Sequence, residues 1–439
     1  MIKTISIENY KSICKLTLDL TYAEGKAPNG WQKSTWLPFV GKPSDGRFVP
    51  ILAIYGANAS GKSNILDGLK SLQEVIHYGI EGKFHPNRLA DSFNILPTKF
   101  RILLKLLERT FIYEISYDER CICKETLECE NEFLYAIEEG KLLSEGFGNE
   151  NYPLNKLSSI LDVECHNAKG EQTKTFLYCL FKGYAGLSNE LNVVYSEITE
   201  NLVVMGDNDI HLSKGASVLA GSSKAASLQI AFDEILVYLK KFDIHIEKMV
   251  LERFAEAQSI WSLNKDEFMQ MSQNQDNTMI FKDGYGQVQI AKITSYHQRT
   301  DGKIEPFNFY SEESQGTRLL AGILGIILDT LKNGKRLFVD ELDRSLHPLL
   351  LVQIVRMFKS KKLNTKSAQL IFTLHETTLL EDPLLRLSEV GILNNNLQAG
   401  TTLARLSDYH QQDKSIRNVN NFRKRYLEGI YAGIPEPIL

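Results

Sequence analysis

The chain has 439 residues, 43% of them hydrophobic and 24% charged, which is enough apolar material for a large core and enough length for two lobes or one domain with a large insertion. Its formal net charge of −4 excludes a global electrostatic case for nucleic acid, so any such surface has to be a local patch. No apolar run of signal-peptide length opens the sequence, and the most apolar helical stretch, Leu319 to Leu331, is too short to span a bilayer and carries Asp329, so a cytoplasmic protein with no membrane partner is expected.

Ile2 to Glu8 and Cys14 to Leu20 alternate as two strands of a hairpin joined by Asn9-Tyr10-Lys11-Ser12. Thr21 to Arg47, with its Gly, Pro and aromatic residues, reads as an irregular excursion. Ile51 to Tyr55 is a buried strand bounded by Pro50 and Gly56, and a helix starting at Lys62 runs to about Tyr78. Between them Gly56-Ala57-Asn58-Ala59-Ser60-Gly61-Lys62-Ser63 fits the spacing G-x-x-x-x-G-K-[ST]. The glycines let backbone N–H groups turn inward around a phosphate, Lys62 can reach the β- and γ-phosphates, Ser63 can ligate Mg²⁺, and the helix dipole favours the same anion.

Phe100 to Leu107, Phe111 to Tyr117 and Cys121 to Cys129 are expected as a meander of strands. Of the six cysteines, Cys121-x-Cys123 and Cys129 lack a second Cys or His pair at zinc-like spacing and read as reduced thiols. From Phe133 to Ala257 no heptad pattern persists, so a compact, mostly helical insertion is expected, with a helix over Ser227 to Phe242 and a loop over Leu202 to Ser227. Ile244 to Leu251 and Met279 to His297 read as strands.

Ser314-Gln315-Gly316-Thr317 opens a helix over Thr317 to Leu331, and a Ser and a Gly at a helix start offer a second anion site, one suited to nucleotide held by another subunit. Arg336 to Val339 is an apolar strand ending in Asp340 and Glu341, placed to hold Mg²⁺ and to polarise a water respectively. Leu370 to Leu374 is another buried strand, ending at His375, where a His can contact a γ-phosphate and its attacking water.

P-loop, long insertion, S-x-G at a helix start, D-E at a strand end, the run Leu342 to Pro348 and a strand-end His together resemble the ABC-type ATPases of the SMC/RecF/OLD group. The element Asn9-Tyr10-Lys11-Ser12 is similar to the N-[FY]-[KR]-S start of that group, and Tyr426 to Ile438 to the ending of stand-alone bacterial OLD-like AAA ATPases, such as the ATPase subunit of two-gene phage-defence systems like PARIS. The resemblance implies an α/β fold: an ABC-type P-loop ATPase head, with an antiparallel β-layer and a mostly helical insertion, divided as 1–130, 131–257 and 258–439. It implies ATP and Mg²⁺ as cofactors, held by Lys11, Gly56, Asn58, Gly61, Lys62, Ser63 and Asp340. Glu341 becomes the general base and His375 the switch histidine. Ser314 and Gly316 would complete a partner's site, with Asp343 at the dimer interface. The signature is shorter than a transporter's, no Q-loop glutamine stands out, and Ala432 replaces the usual Gly.

The implied role is a sensor or scaffold ATPase in antiphage defence. It assembles as a homodimer or higher oligomer, controls a separate toxic effector and answers a phage-encoded trigger, since the chain after His375 is too short for a Toprim nuclease. Two other readings compete. A DNA-maintenance ATPase would use Lys359 to Lys362, Lys99, Arg101 and Lys105, or Arg423 to Arg425 as backbone contacts, although net charge does not support DNA. A nuclease would use Arg405 and His410, which match an R-x₄-H spacing.

Overall fold

The structure, a computed structural model, describes residues 1–22, 36–37, 39–41, 46–89, 93, 95–146, 154–184, 188–206, 209–210, 212–220, 225–256, 278–282, 288–344, 346–380, 384–396, 400–412 and 422–431. Much of the excursion expected over 21–47, and the ending beyond 431, lie outside these residues.

In chain order the strands are β1 (Ile2–Tyr10), β2 (Ile13–Asp19), β3 (Ile51–Gly56), β4 (Thr98–Leu106), β5 (Arg109–Tyr117), β6 (Ile122–Cys129), β7 (Glu132–Glu138), β8 (Lys141–Glu145), β9 (Leu202–Met205), β10 (Lys248–Glu256), β11 (Thr278–Lys282), β12 (Val288–Gln298), β13 (Ile304–Asn308), β14 (Arg336–Val339), β15 (Gln369–Thr373), β16 (Val390–Asn396) and β17 (Gly400–Arg405). The chain divides into two compact units. One comprises Met1–Val204, Gly334–Leu342 and Val355–Leu439; the other comprises Met205–Asn333 and Asp343–Ile354.

The first unit is built on a 13-stranded sheet in the order β8-β7-β6-β5-β4-β1-β2-β17-β16-β3-β15-β14-β9. Its parallel part follows from mostly apolar sequence: every residue of β3, β14 and β15 is buried, Arg336, Gln369 and Thr373 at the strand ends included, as strands covered on both faces require. β14 pairs parallel with β15, and β3 pairs parallel with both β15 and β16, so the C-terminal ends of these strands share one edge of the sheet. Loops at that edge are where α/β sheets present functional groups. The other part is antiparallel. In β1, Ile5 and Ile7 are buried while Ser6 and Glu8 are half-buried, the alternation of a sheet with one covered face. The expected α/β class holds, with one difference: the antiparallel strands are not a separate layer but continue the same sheet, because β1 pairs with both β2 and β4, and β2 pairs with β17.

Helix α1 (Lys62–Tyr78) buries the stripe Ile65, Leu66, Leu69, Leu72, Val75 and Ile76 and ends at Gly79, whose φ of 93° suits only a residue without a Cβ. The meander runs two strands further than expected, through β7 and β8, where the sequence reading already placed helix. Cross-strand pairs such as Leu127–Tyr135 fix that register, and the Glu-rich turns between them hide the strand signal.

The second unit holds a sheet of β10, β12 and β11, with β13 on β12, and the helices Leu212–Ala220, Ala225–Lys241 and Gln315–Asn333. The helix at Leu212–Ala220 and strand β9 correct the loop expected over 202–227. Its small residues serve close packing rather than a turn: a Cβ on Gly215 would stand 2.1 Å from the carbonyl oxygen of Gly322, and one on Gly325 would stand 2.4 Å from the backbone of Gly215. Among the described residues no helix is long and apolar enough to cross a membrane.

Candidate functional site

The loop between β3 and α1 is held in a conformation that few sequences tolerate. A Cβ at Gly56 would lie 2.6 Å from Ser60 Oγ and 2.9 Å from the Leu393 carbonyl, and one at Gly61, with φ of 99°, would lie 2.3 Å from Thr401 Oγ1. Ala59 also takes a left-handed conformation, at φ 62°. The loop is clamped from behind by residues distant in sequence. Ser12 Oγ and Thr401 Oγ1 are 2.7 Å apart, Asn64 Nδ2 donates to Ser12 Oγ at 2.7 Å, and Thr401 Oγ1 donates to the Ser60 carbonyl at 3.1 Å. The buried ring of Tyr55 packs on that of Tyr426 at a centroid distance of 5.8 Å, which ties the C-terminal motif to the strand that launches the loop.

Three features fit this loop to an anion. Gly61, the N-cap of α1, has no side chain to satisfy the first N–H groups of the helix. Ser60 Oγ is buried and has no hydrogen-bond partner among the described residues. Lys62 is buried, and its ammonium donates to the carbonyls of Gly56 at 2.7 Å and Ala57 at 3.0 Å. These neutral dipoles compensate part of the cost of burying the charge, and a phosphate can replace them.

The ends of β14 and β15 face the same space. Thr373, the last residue of β15 and fully buried, donates its hydroxyl to Asp340 Oδ1 at 2.5 Å and accepts from the backbone N–H of Glu341 at 2.8 Å. Glu341 sits at φ 47°, a strained position for a non-glycine residue, and its Oε1 lies 3.6 Å from His375 Nε2, with both side chains partly exposed. Asn58, Gly61, Lys62, Ser63, Glu341 and His375 line one cavity of about 390 Å³.

Six of the predicted residues therefore meet in one place, with Gly56 and Asp340 directly behind them. Lys11 instead bonds Asp67 of α1 at 2.6 Å and lines an adjoining cavity with Ser12, Asn64, His85 and Arg88. Burial, then the charges of Lys11, Lys83 and Arg88, hold His85 below its usual range. Ser314, Gly316 and Asp343 belong to the other compact unit. There the Ser314 hydroxyl accepts from the Thr317 N–H at 3.1 Å and caps its own helix. Thr373 and Thr401 escaped the sequence reading, and Ser12 entered it only as part of the Asn9-Tyr10-Lys11-Ser12 element. The signal available for Thr373 was a polar residue closing the apolar run Leu370 to Phe372.

Other candidates lose ground. Lys359 is fully buried against Glu389, so it is no backbone contact for DNA. Lys99 and Arg101 both face Glu114, and Lys424 faces Glu428. The Arg405 guanidinium is bound to Asp19 Oδ2 at 2.9 Å and to the Thr21 carbonyl at 2.6 Å, which leaves the R-x₄-H pair without a free arginine fork; the side chain of His410 lies outside the described residues.

With this geometry in hand, residues 208–381 match a family model described as "AAA domain, putative AbiEii toxin, Type IV TA system". The match spans the Asp340–Glu341 and His375 strand ends and does not reach the P-loop. No curated protein matches. Among solved structures, an SMC head domain from Thermotoga maritima is 12% identical, with 92% of this chain and 98% of that chain covered and a TM-score of 0.35. An Smc head domain with an extended coiled coil, bound to the C-terminal domain of ScpA, from Pyrococcus furiosus, is 10% identical, with 95% and 99% covered and a TM-score of 0.39. An Smc head domain with a coiled coil and joint from Pyrococcus yayanosii is 11% identical, with 94% and 99% covered and a TM-score of 0.33. Likenesses at this level say nothing about chemistry, which comes from the residues.

Proposed function

We propose that the chain is an ABC-type ATPase that binds ATP and Mg²⁺ at the β3–α1 loop and hydrolyses ATP. The observation that carries this reading is the convergence of Lys62 and Ser63 with Glu341 and His375 in one cavity, delivered by the ends of adjacent parallel strands. The uncapped helix N-terminus, Ser60 and Lys62 take the phosphates, with Lys62 exchanging loop carbonyls for phosphate oxygens. Ser63 and Asp340 would hold Mg²⁺, which would supply positive charge against the phosphates. Glu341 accepts a proton from the water that attacks the γ-phosphorus as the bond to the β–γ bridging oxygen breaks, giving ADP and inorganic phosphate. Thr373 fixes Asp340 and the backbone of Glu341 together, and His375, beside Glu341, faces the attacking water.

Ser314 and Gly316 complete the site of a second copy, so that ATP joins two heads and hydrolysis parts them, with Asp343 near that interface. The role we propose is that of a sensor or scaffold in bacterial defence against phage, gating a separately encoded toxic effector. Support comes from the match to an AAA domain described in toxin–antitoxin terms, from the pairing of Lys99 and Arg101 with Glu114 and from the burial of Lys359, residues that a DNA-binding ATPase would use.

The test is the Glu341→Gln variant. Hydrolysis is expected to fall about 10²- to 10⁴-fold, with ATP binding kept and a dimer or larger assembly trapped by ATP and Mg²⁺ in light scattering. Wild-type turnover by the Gln variant removes Glu341 from its role. ATP-dependent retention of DNA, with affinity falling steeply as salt rises, replaces the defence reading by DNA maintenance.

A further inference from the structure

We propose that Asp118, Cys121 and Cys123 form a site for a thiophilic divalent cation of the zinc class, separate from the β3–α1 cavity. One carboxylate oxygen and two sulfurs lie within 4.8 Å of one another, and all three side chains are half-buried and open to solvent. The edge of a tetrahedron around an ion with metal–sulfur bonds of about 2.3 Å is about 3.7 Å, so small side-chain rotations close the set, and water fills the fourth corner.

The donors are held in place before any ion arrives. Asp118 and Cys121 bracket the turn between β5 and β6, with the Asp118 N–H donating to the Cys121 carbonyl at 3.0 Å. Asp118 Oδ1 accepts from the N–H groups of Arg120 at 2.7 Å and Cys121 at 2.8 Å. A ligating carboxylate is ordinarily oriented by such hydrogen bonds, and here they leave Oδ2 for the metal. The next residue, Ile122, is pinned by its N–H to the Gln172 carbonyl at 2.7 Å, so the turn cannot swing the ligands apart.

An ion that binds here displaces both thiol protons. The other adjacent thiols, Cys165 and Cys179, are sealed in the core and cannot serve. Cys121 and Cys123 are only two residues apart at the start of a strand, where their Cα separation of about 6–7 Å strains a disulfide and favours a bridging ion.

The experiment is a Co²⁺ titration of the reduced full-length protein, followed by the near-ultraviolet thiolate-to-cobalt charge-transfer band and the tetrahedral visible bands. Co²⁺ entering the β3–α1 cavity meets oxygen ligands and gives no thiolate band, so the two sites are distinguished. A stoichiometric band is expected that Zn²⁺ bleaches, that weakens as pH falls, and that is lost in Cys121→Ser and in Cys123→Ser. Asp118→Asn, which keeps a side-chain acceptor for the turn, is expected to weaken binding by at least about tenfold. Thermal melts of each variant confirm folding. Absence of the band, its persistence in both serine variants, or recovery of a Cys121–Cys123 disulfide with no metal-binding form overturns the proposal.

Discussion

Two buried lysines show how the same side chain serves opposite ends in one unit. Lys359 is fully buried, its ammonium bonded to Glu389 Oε2 at 2.6 Å and to the Leu384 carbonyl, while Arg386 binds the other carboxylate oxygen at 2.7 Å. Lys62 is nearly as buried, yet its ammonium donates to the carbonyls of Gly56 and Ala57 at the wall of an open cavity. A cation paired with a carboxylate in a sealed core is a fixture of the fold. One held by carbonyls beside solvent can change partners.

The contrast breaks most visibly at Lys359. Its replacement by Ala leaves the buried Glu389 carboxylate with Arg386 as its remaining cation and is expected to cost up to about 3–5 kcal/mol of stability, read by denaturant unfolding, while molecules that remain folded bind ATP as before. Lys62→Ala is expected to do the reverse, leaving the melting temperature near that of the wild type and weakening ATP by about 2–5 kcal/mol in a fluorescence titration. Equal loss of stability in the two variants would erase the distinction.

Thr373 sharpens it, being as deeply buried as Lys359 yet aimed at the cavity acids. Thr373→Val, which keeps the shape and loses the hydroxyl, is expected to slow hydrolysis about ten- to hundredfold and raise the Mg²⁺ needed for half-maximal rate, with Thr373→Ser restoring both. A merely structural Thr373 would lower stability and leave the Mg²⁺ requirement alone.

The smallest expected effect is one of pH. Burial alone would raise the Glu389 carboxyl, but Lys359 and Arg386 more than reverse this and hold it below the usual range. A depressed carboxylate contributes stability above its unfolded pKa of about 4.3, and that contribution is lost as pH falls through the lower folded value. Unfolding free energies measured between about pH 6 and pH 3 are therefore expected to drop below about pH 4, and Glu389→Gln to flatten that limb.

What the sequence disclosed was local. The apolar run of β3, the G-x-x-x-x-G-K-S spacing, the extent of α1 and the acids closing β14 are each carried by one short continuous stretch of chain, and period and spacing suffice to find them. The clamp of Ser12 on Thr401 joins positions 389 apart, and neither residue signals the other. Lys359 looked like part of a basic surface run because its neighbours Lys361 and Lys362 are exposed, whereas only the fold reveals the acid it meets. The helix Leu212–Ala220 was hidden by glycine and serine, residues that suit a loop until a second glycine-bearing helix lies against them.

The span of that clamp also bears on how the protein is made. β3 leaves the ribosome early, but its parallel neighbours, β15 and β16, and the threonine that braces its loop are translated more than three hundred residues later. Until then a fully apolar strand has no pairing partner on either side, which marks Ile51 to Tyr55 as a segment that nascent-chain chaperones are expected to shield. On the function proposed above, nucleotide competence is thus acquired near the end of synthesis, and a stalled or truncated chain is expected not to take up ATP before its sheet is closed.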